Sequence, residues 1–147
     1  LRNACARMLA TQAAGTSHYA LAVRNQIAPG TDQVGTVRAI SAETGETTWL
    51  HEQRSATMSL MATGGGLVFG GDVNGRFKAF DHNTGEVLWE INLGSAVTGF
   101  PITYAVDGTQ YIVVGTGTAS TASLFGRLTP EIRPSAGNTL FVFALPD

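Results

Sequence analysis

An all-β chain built from repeated antiparallel units is what this sequence predicts, and three observations carry it. The first is a phrase said twice, forty residues apart: Gly35-Thr-Val-Arg-Ala-Ile-Ser-Ala-Glu-Thr-Gly-Glu-Thr-Thr-Trp49 returns as Gly75-Arg-Phe-Lys-Ala-Phe-Asp-His-Asn-Thr-Gly-Glu-Val-Leu-Trp89. Gly, Ala, Thr, Gly, Glu and Trp keep their places, and Asp32 and Asp72 each stand three residues before the first Gly. The second is alternation of polar and apolar residues within short runs, the pattern of a half-buried strand. The third is punctuation of those runs by Gly, Asn and Asp, the residues of tight turns. A fixed period of this length, with short strands and a Trp in each unit, is the signature of a β-propeller blade.

The second unit is the clearest. Thr57-Met-Ser-Leu-Met-Ala62 reads as an innermost strand, and Thr63-Gly-Gly-Gly66 as a turn. Leu67-Val-Phe-Gly-Gly71 reads as a buried strand. Asp72-Val-Asn-Gly75 is a hairpin turn, since Asn-Gly supplies the positive-φ positions that a tight reversal needs. Arg76-Phe-Lys-Ala-Phe80 alternates like a strand with one face in a core. In Asp81-His-Asn-Thr-Gly85, Asp81 is placed to accept turn N–H bonds and Gly85 to close a bulged hairpin. Glu86-Val-Leu-Trp-Glu-Ile91 is the outer strand.

The first unit repeats this as His18-Tyr-Ala-Leu-Ala-Val23, Thr36-Val-Arg-Ala-Ile40 and Thr47-Thr-Trp-Leu50. The third runs through Phe100-Pro-Ile-Thr-Tyr104, a turn at Val106-Asp-Gly108, and Gln110-Tyr-Ile-Val-Val114. A Gly/Thr/Ser/Pro-rich insertion comes next, from Gly115 to Gly137, before Thr139-Leu-Phe-Val-Phe-Ala-Leu145 takes the place of a third strand. No Trp-bearing fourth strand succeeds it. Completion of that blade by a strand from the other terminus fits the pattern, and it removes an open sheet edge.

A propeller needs roughly four to eight blades, and 147 residues hold only about three. The chain also opens at Leu1 within patterned sequence, without an initiator Met. The expectation is the C-terminal portion of a larger propeller, about three blades of four-stranded antiparallel sheet, with units near residues 1–52, 53–95 and 96–147. The alternative is a complete small β-domain. Net charge is −2 with no Lys/Arg run, so electrostatic capture of nucleic acid has no footprint. No apolar run reaches the length of a membrane span, and the N-terminus does not read as a signal peptide. A lone Cys5 makes no disulfide within the chain and no metal-ligand spacing.

Individual residues carry both a structural and a functional reading. Trp49 and Trp89 are expected to be buried in equivalent positions, docking one blade on the next. Asp72-Val-Asn-Gly75 lacks the later acidic ligands of a calcium loop and reads as a plain turn. His18, His51 and His82 share no metal spacing and read as surface side chains. Gly64-Gly65-Gly66, lying between strands, reads as a turn rather than a phosphate cradle. Cys5 reads as a small buried residue, with lining of a cofactor site as the alternative. The insertion is either a mobile surface loop or a cover for the axial site through Phe125 or Arg127, stiffened by Pro130 and Pro134.

Taken together, Ala79-Phe-Asp81-x-x-Thr84-Gly85-x-x-x-Trp89 resembles the tryptophan-docking motif of the eight-bladed quinoprotein dehydrogenases. Thr63-Gly-Gly-Gly-Leu-Val-Phe-Gly-Gly-Asp72, the stretch Phe100 to Val114 and Leu140-Phe-Val-Phe-Ala-Leu-Pro146 resemble the last two blades of the alcohol dehydrogenase branch. Asn3-Ala-Cys5 resembles the stretch that opens an earlier blade. The resemblance implies a periplasmic enzyme that oxidises alcohols or related hydroxyl compounds with pyrroloquinoline quinone (PQQ). It also implies a Ca²⁺ or lanthanide ion beside the quinone and an electron acceptor such as a cytochrome c or a quinone.

The metal ligands and the general base of that family belong to blades preceding Leu1. No catalytic or metal-binding residue is therefore expected in this chain, which alone is expected to be inactive. Where the family places a Trp and two Gly as the floor under the quinone, this chain has Thr57-Met58-Ser59, which makes Met58 the candidate floor. A second family aromatic is replaced near Thr121. Asn3 and Met58 are the two candidate cofactor contacts. The alternative from another class is a non-enzymatic propeller of the same fold acting as a protein-binding scaffold, such as the outer-membrane assembly lipoprotein.

Overall fold

A computed structural model describes residues 4–11, 20–117 and 126–145 of the chain, and within them all regular structure is β-strand. The complete unit is a four-stranded antiparallel sheet of β5 (Thr57–Ala62), β6 (Leu67–Asp72), β7 (Arg76–Asp81) and β8 (Val87–Asn92), hydrogen-bonded in sequence order. Its turns obey the local chemistry. Gly66, Gly75 and Gly85 all have positive φ, from 73° to 86°. Asp81 Oδ1 accepts the backbone N–H groups of Asn83 and Thr84 at 2.8 and 2.9 Å, fixing the turn that Gly85 closes beside a bulge at Ala79/Phe80.

The preceding unit reproduces that turn with different atoms. β3 (Gly35–Ile40) and β4 (Thr47–Gln53) pair Ala39 with Trp49, as β7 and β8 pair Ala79 with Trp89. Each ladder shifts register at the next residue. Ser41 stands where Asp81 does, and its hydroxyl accepts from Glu43 and Thr44. A hydroxyl thus does the work of a carboxylate at the same turn, which explains why the repeat tolerates the exchange.

The first unit is not one four-stranded sheet. β1 (Ala4–Thr11), a strand the repeat pattern did not announce, pairs with β2 (Ala20–Ile27), and β3 pairs with β4 as a separate two-stranded sheet. The physical reason lies in the link. Residues 72–75 turn β6 directly into β7, whereas β2 reaches β3 through residues 28–34, which include Pro29 with no N–H to give. Of the predicted strand His18–Val23, residues 20–23 lie on β2, and His18 and Tyr19 lie outside the described residues. The third sheet orders β11 (Thr139–Ala144), β10 (Thr109–Thr116) and β9 (Ile102–Val106), its β9–β10 reversal made by Asp107 and Gly108 at φ 50° and 85°.

The sheets pack face to face. Phe69, Phe77, Ala79 and Val97 form the main core with Ile112 and Val114 of β10, and Phe77 is fully buried. On the other face of the complete sheet, Phe80 meets His51 of β4 edge-on, with centroids 5.1 Å apart. Trp49 is half-buried and reaches the next unit, donating its indole N–H to the His82 carbonyl at 2.8 Å. Trp89 occupies the equivalent register but is 40% exposed, against expectation. Its ring meets Phe77 and Phe143 edge-on, and among the described residues no turn like that of Asp81–Gly85 succeeds β11 to cover it. An apolar cavity of about 540 Å³ lies beside it, lined by Phe77, Ile112, Phe143 and Leu145 among others.

Candidate functional site

One end of the sheets gathers the polar chemistry. There the turn of residues 72–75 meets the two links between units, residues 54–56 and 93–99. Val73 donates its amide to the Ala56 carbonyl at 3.0 Å, and Asn74 to the Ser55 hydroxyl at 3.0 Å. Leu93 donates to the Gly75 carbonyl and Val97 to that of Asp72. Ser55, Ser95, Thr116 and Thr129 are buried at this end. Small hydroxyl residues suit it because each can satisfy a stray backbone group without filling the space between units.

The described part of the insertion is held here. Ser135 donates its amide to the Gly94 carbonyl at 2.8 Å, and its hydroxyl lies 2.7 Å from that of Ser95. Leu128 and Ile132 pack on a second buried cluster, Val34, Ala56 and Val73, together with Ile27 and Met58. Within the described part, residues 126–137, the insertion is held to the sheets by these bonds and by this packing. Arg127 is exposed, and Phe125 lies outside the described residues.

Met58 sits at the bulge of β5. The ladder to β6 pairs Thr57 with Asp72 and Ser59 with Gly71, which leaves Met58 between them as the extra residue. Its flanks are tied: Thr57 Oγ1 accepts from Gln53 Nε2 at 3.2 Å, and the Ser59 hydroxyl donates to the Gly99 carbonyl at 2.8 Å. Met58 itself is half-buried, held by packing rather than by pairing. Bulges of this kind re-aim a side chain out of the pleat. Asn3, the other candidate contact, lies outside the described residues.

Asp72 is the group the sequence reading undervalued. It is 3% exposed, and its Oδ1 accepts the Arg76 N–H at 2.9 Å. Burial pushes its pKa up to about 6, against the pull of that hydrogen bond and of the Lys78 charge. Lys78 bonds Gln53 Oε1 at 2.7 Å and lies 3.4 Å from Glu90, which also pairs with Arg76 at 2.8 Å. His51 has its pKa lowered by burial, with the charge of Lys78 next in size. Its packing against Phe80 replaces the surface role expected of it. His82 lies 2.8 Å from the Gly66 carbonyl through Nδ1, within the turn that residues 63–66 make. Cys5 lies on β1.

The described residues contain no group of three or more His, Cys, Asp or Glu side chains able to hold a metal. They do not fit a metal centre. What the structure shows at Met58 is a half-buried thioether at a bulge of β5, packed against Val34, Ala56 and Val73. Asp72 escaped the sequence reading because its burial, which raises its pKa, is not written in the sequence, whereas its partner Arg76 is only four residues away. The one local sign was Asp32 and Asp72 keeping step with the repeat.

Comparison with known proteins agrees with this geometry. Residues 31–112 match the family described as PQQ, glucose/ethanol/alcohol dehydrogenase, β-propeller domain. The chain is 41% identical over 118 residues to the quinoprotein ethanol dehydrogenase of Pseudomonas putida, covering 78% of this chain and 19% of that protein. It is 40% identical over 82 residues to methanol dehydrogenase [cytochrome c] subunit 1 of Methylorubrum extorquens, covering 55% of this chain and 13% of the relative. Among solved structures, a europium-containing methanol dehydrogenase superposes with a TM-score of 0.79 at 30% identity, over 98% of this chain and 30% of the other. The chain thus spans about a fifth of the length of the ethanol dehydrogenase it matches. With its repeat, its sheets and most of its length accounted for in this way, the chain belongs to the glucose/ethanol/alcohol dehydrogenase β-propeller family.

Proposed function

We propose that this chain is one portion of a periplasmic PQQ-dependent dehydrogenase that oxidises alcohols or related hydroxyl compounds, with residues 1–52, 53–95 and 96–147 as successive blade units. The observation that carries the proposal is the 41% identity to a quinoprotein ethanol dehydrogenase, joined to a fold in which the tryptophan-bearing hairpins repeat in register. A Ca²⁺ or lanthanide ion, and the base that takes the hydroxyl proton, would come from elsewhere in the protein. An electron acceptor such as a cytochrome c or a quinone would complete the cycle.

Bound PQQ supplies the two-electron acceptor for the alcohol. This chain's own residues would bind and orient. Met58 would offer its thioether to the flat ring, with Asn3 as a second contact. Thr57 and Ser59, tied on either side, would keep that stretch of β5 in place. Sulfur–aromatic contact is worth roughly 0.3–1.5 kcal/mol, less than stacking on an indole. Met58→Trp or Thr57→Trp in the full-length protein is therefore expected to tighten PQQ binding. The functional test is dye reduction by full-length protein loaded with PQQ and Ca²⁺ or a lanthanide, on addition of ethanol. Reduction that needs all three components is expected, and bound PQQ with no turnover of any simple alcohol would contradict the reading.

A further inference from the structure

Arg54, in the link between β4 and β5, gathers three acceptors with one guanidinium. Nε donates to Glu131 Oε1 at 2.6 Å, Nη2 to the Leu128 carbonyl at 2.8 Å, and Nη1 to the Asp32 carbonyl. Two of these acceptors belong to the insertion, 74 and 77 residues further along the chain. The far end of the same segment is held at Ser135 by Gly94 and Ser95. Residues 128–135 therefore form a strap across the end of the complete sheet, fastened at the link before it and at the link after it. Leu128 and Ile132 of the strap pack against the buried Val34, Ala56 and Val73, and so does Met58.

A methionine has three rotatable side-chain bonds and takes many shapes unless it is boxed. Met58 stands outside the ladder of β5, so strand pairing does not box it. The cluster it shares with the strap does.

We propose that Arg54 is a positioning residue for the quinone-facing side of the site: it fixes the strap, and through Leu128 and Ile132 the strap holds Met58 in one orientation. The proposal rests on the reading given under Proposed function. An exposed ion pair alone would contribute little, and Arg54 and Glu131 are 34% and 52% exposed. The two captured carbonyls are what set this contact apart. A planar fork can serve a carboxylate and two carbonyls at once, whereas a lysine ammonium is a single point of charge.

The experiment uses full-length protein, wild type beside Arg54→Ala, Arg54→Lys and Glu131→Gln. Three quantities are read: amide exchange at Ile132, whose N–H bonds the Thr129 carbonyl at 3.0 Å, the Met58 methyl NMR signal, and PQQ affinity by titration. In Arg54→Ala, Ile132 exchange is expected to rise about tenfold and the Met58 signal to shift and sharpen. PQQ affinity should fall roughly three- to tenfold, with a melting point within about 3 °C of wild type. Arg54→Lys should recover only part of each effect. Unchanged exchange and an unchanged Met58 signal overturn the proposal, as does a loosened Met58 with unaltered PQQ affinity. If Arg54→Ala fails to fold, Arg54→Lys and Glu131→Gln carry the same comparison. Wild-type protein that binds no PQQ sinks the underlying reading, whereas wild-type binding with indifferent variants sinks only the role of Arg54.

Discussion

Trp49 closes over Gly85 of the next unit so tightly that a methyl group on that glycine would lie 2.5 Å from Trp49 Cε3. The contact joins two units of the repeat at the residue that also makes the turn, since Gly85 has φ 73°. Gly85→Ala therefore meets two penalties, left-handed strain of about 1–2 kcal/mol and overpacking of about 1–3 kcal/mol. Gly45, with φ 74° and nothing within 4 Å, meets only the first. Denaturant unfolding of the full-length protein should show Gly85→Ala destabilised by at least about 1 kcal/mol more than Gly45→Ala. Equal losses would remove Trp49 from the docking contact.

Asp72 makes stability depend on pH in an unusual direction. Its pKa in the folded state, about 6, lies above the ordinary 3.8, because burial disfavours the charge. The folded protein then holds this proton more tightly than the unfolded chain. Its contribution to stability is present below about pH 4 and is lost as pH rises through about 6. The penalty at neutral pH is of order 3 kcal/mol. Asp72→Asn keeps an oxygen for the Arg76 N–H and carries no charge. Expected is a variant more stable at pH 7.5, with the difference shrinking towards pH 4. A constant difference across that range would show that Asp72 is ionised without cost.

Gly71 and Val97 report on packing between the second and third units. A methyl on Gly71 would lie 2.1 Å from Val97 Cγ1, and Val97 is fully buried. Gly71→Ala is expected to cost about 1–3 kcal/mol by overpacking. Val97→Ala should relieve most of that cost, so a double-mutant cycle should give a coupling of at least about 0.5 kcal/mol. Simple additivity would mean that the strand shifts to make room instead.

The strands β5 to β8 and their turns were legible because adjacent residues decide them. Asn-Gly, Asp81 with its two N–H donors, and Gly85 act within a few positions of themselves. The features that stayed hidden depend on partners far along the chain. The separation of β1 and β2 from β3 and β4 comes from a link that contains Pro29 and lacks the tight turn of residues 72–75. Trp89 repeats Trp49 in sequence and register, yet its exposure is set by its neighbours around β11, which the repeat does not encode. Arg54 looks like any surface arginine until Leu128 and Glu131 arrive beside it. The bulge at Met58 left no mark beyond the absence of the family's aromatic floor.

The outer face of the third sheet predicts how the 147-residue chain behaves by itself. Phe100, Ile102, Tyr104, Val106, Leu140 and Val142 are exposed, Phe100 by 76%. An apolar face of that kind marks an association surface. Sedimentation of the isolated chain should show concentration-dependent self-association. A monomer with a reversible, concentration-independent melt would contradict this.

PQQ titration of full-length protein, with Ca²⁺ or a lanthanide present, tests the central claim most directly. Saturable binding that quenches tryptophan fluorescence and raises the melting temperature is expected, because a ligand that binds the folded state stabilises it by mass action. Met58→Trp or Thr57→Trp should tighten that binding. No binding at high micromolar PQQ, with either metal supplied, would contradict the account and leave a propeller that serves as a scaffold.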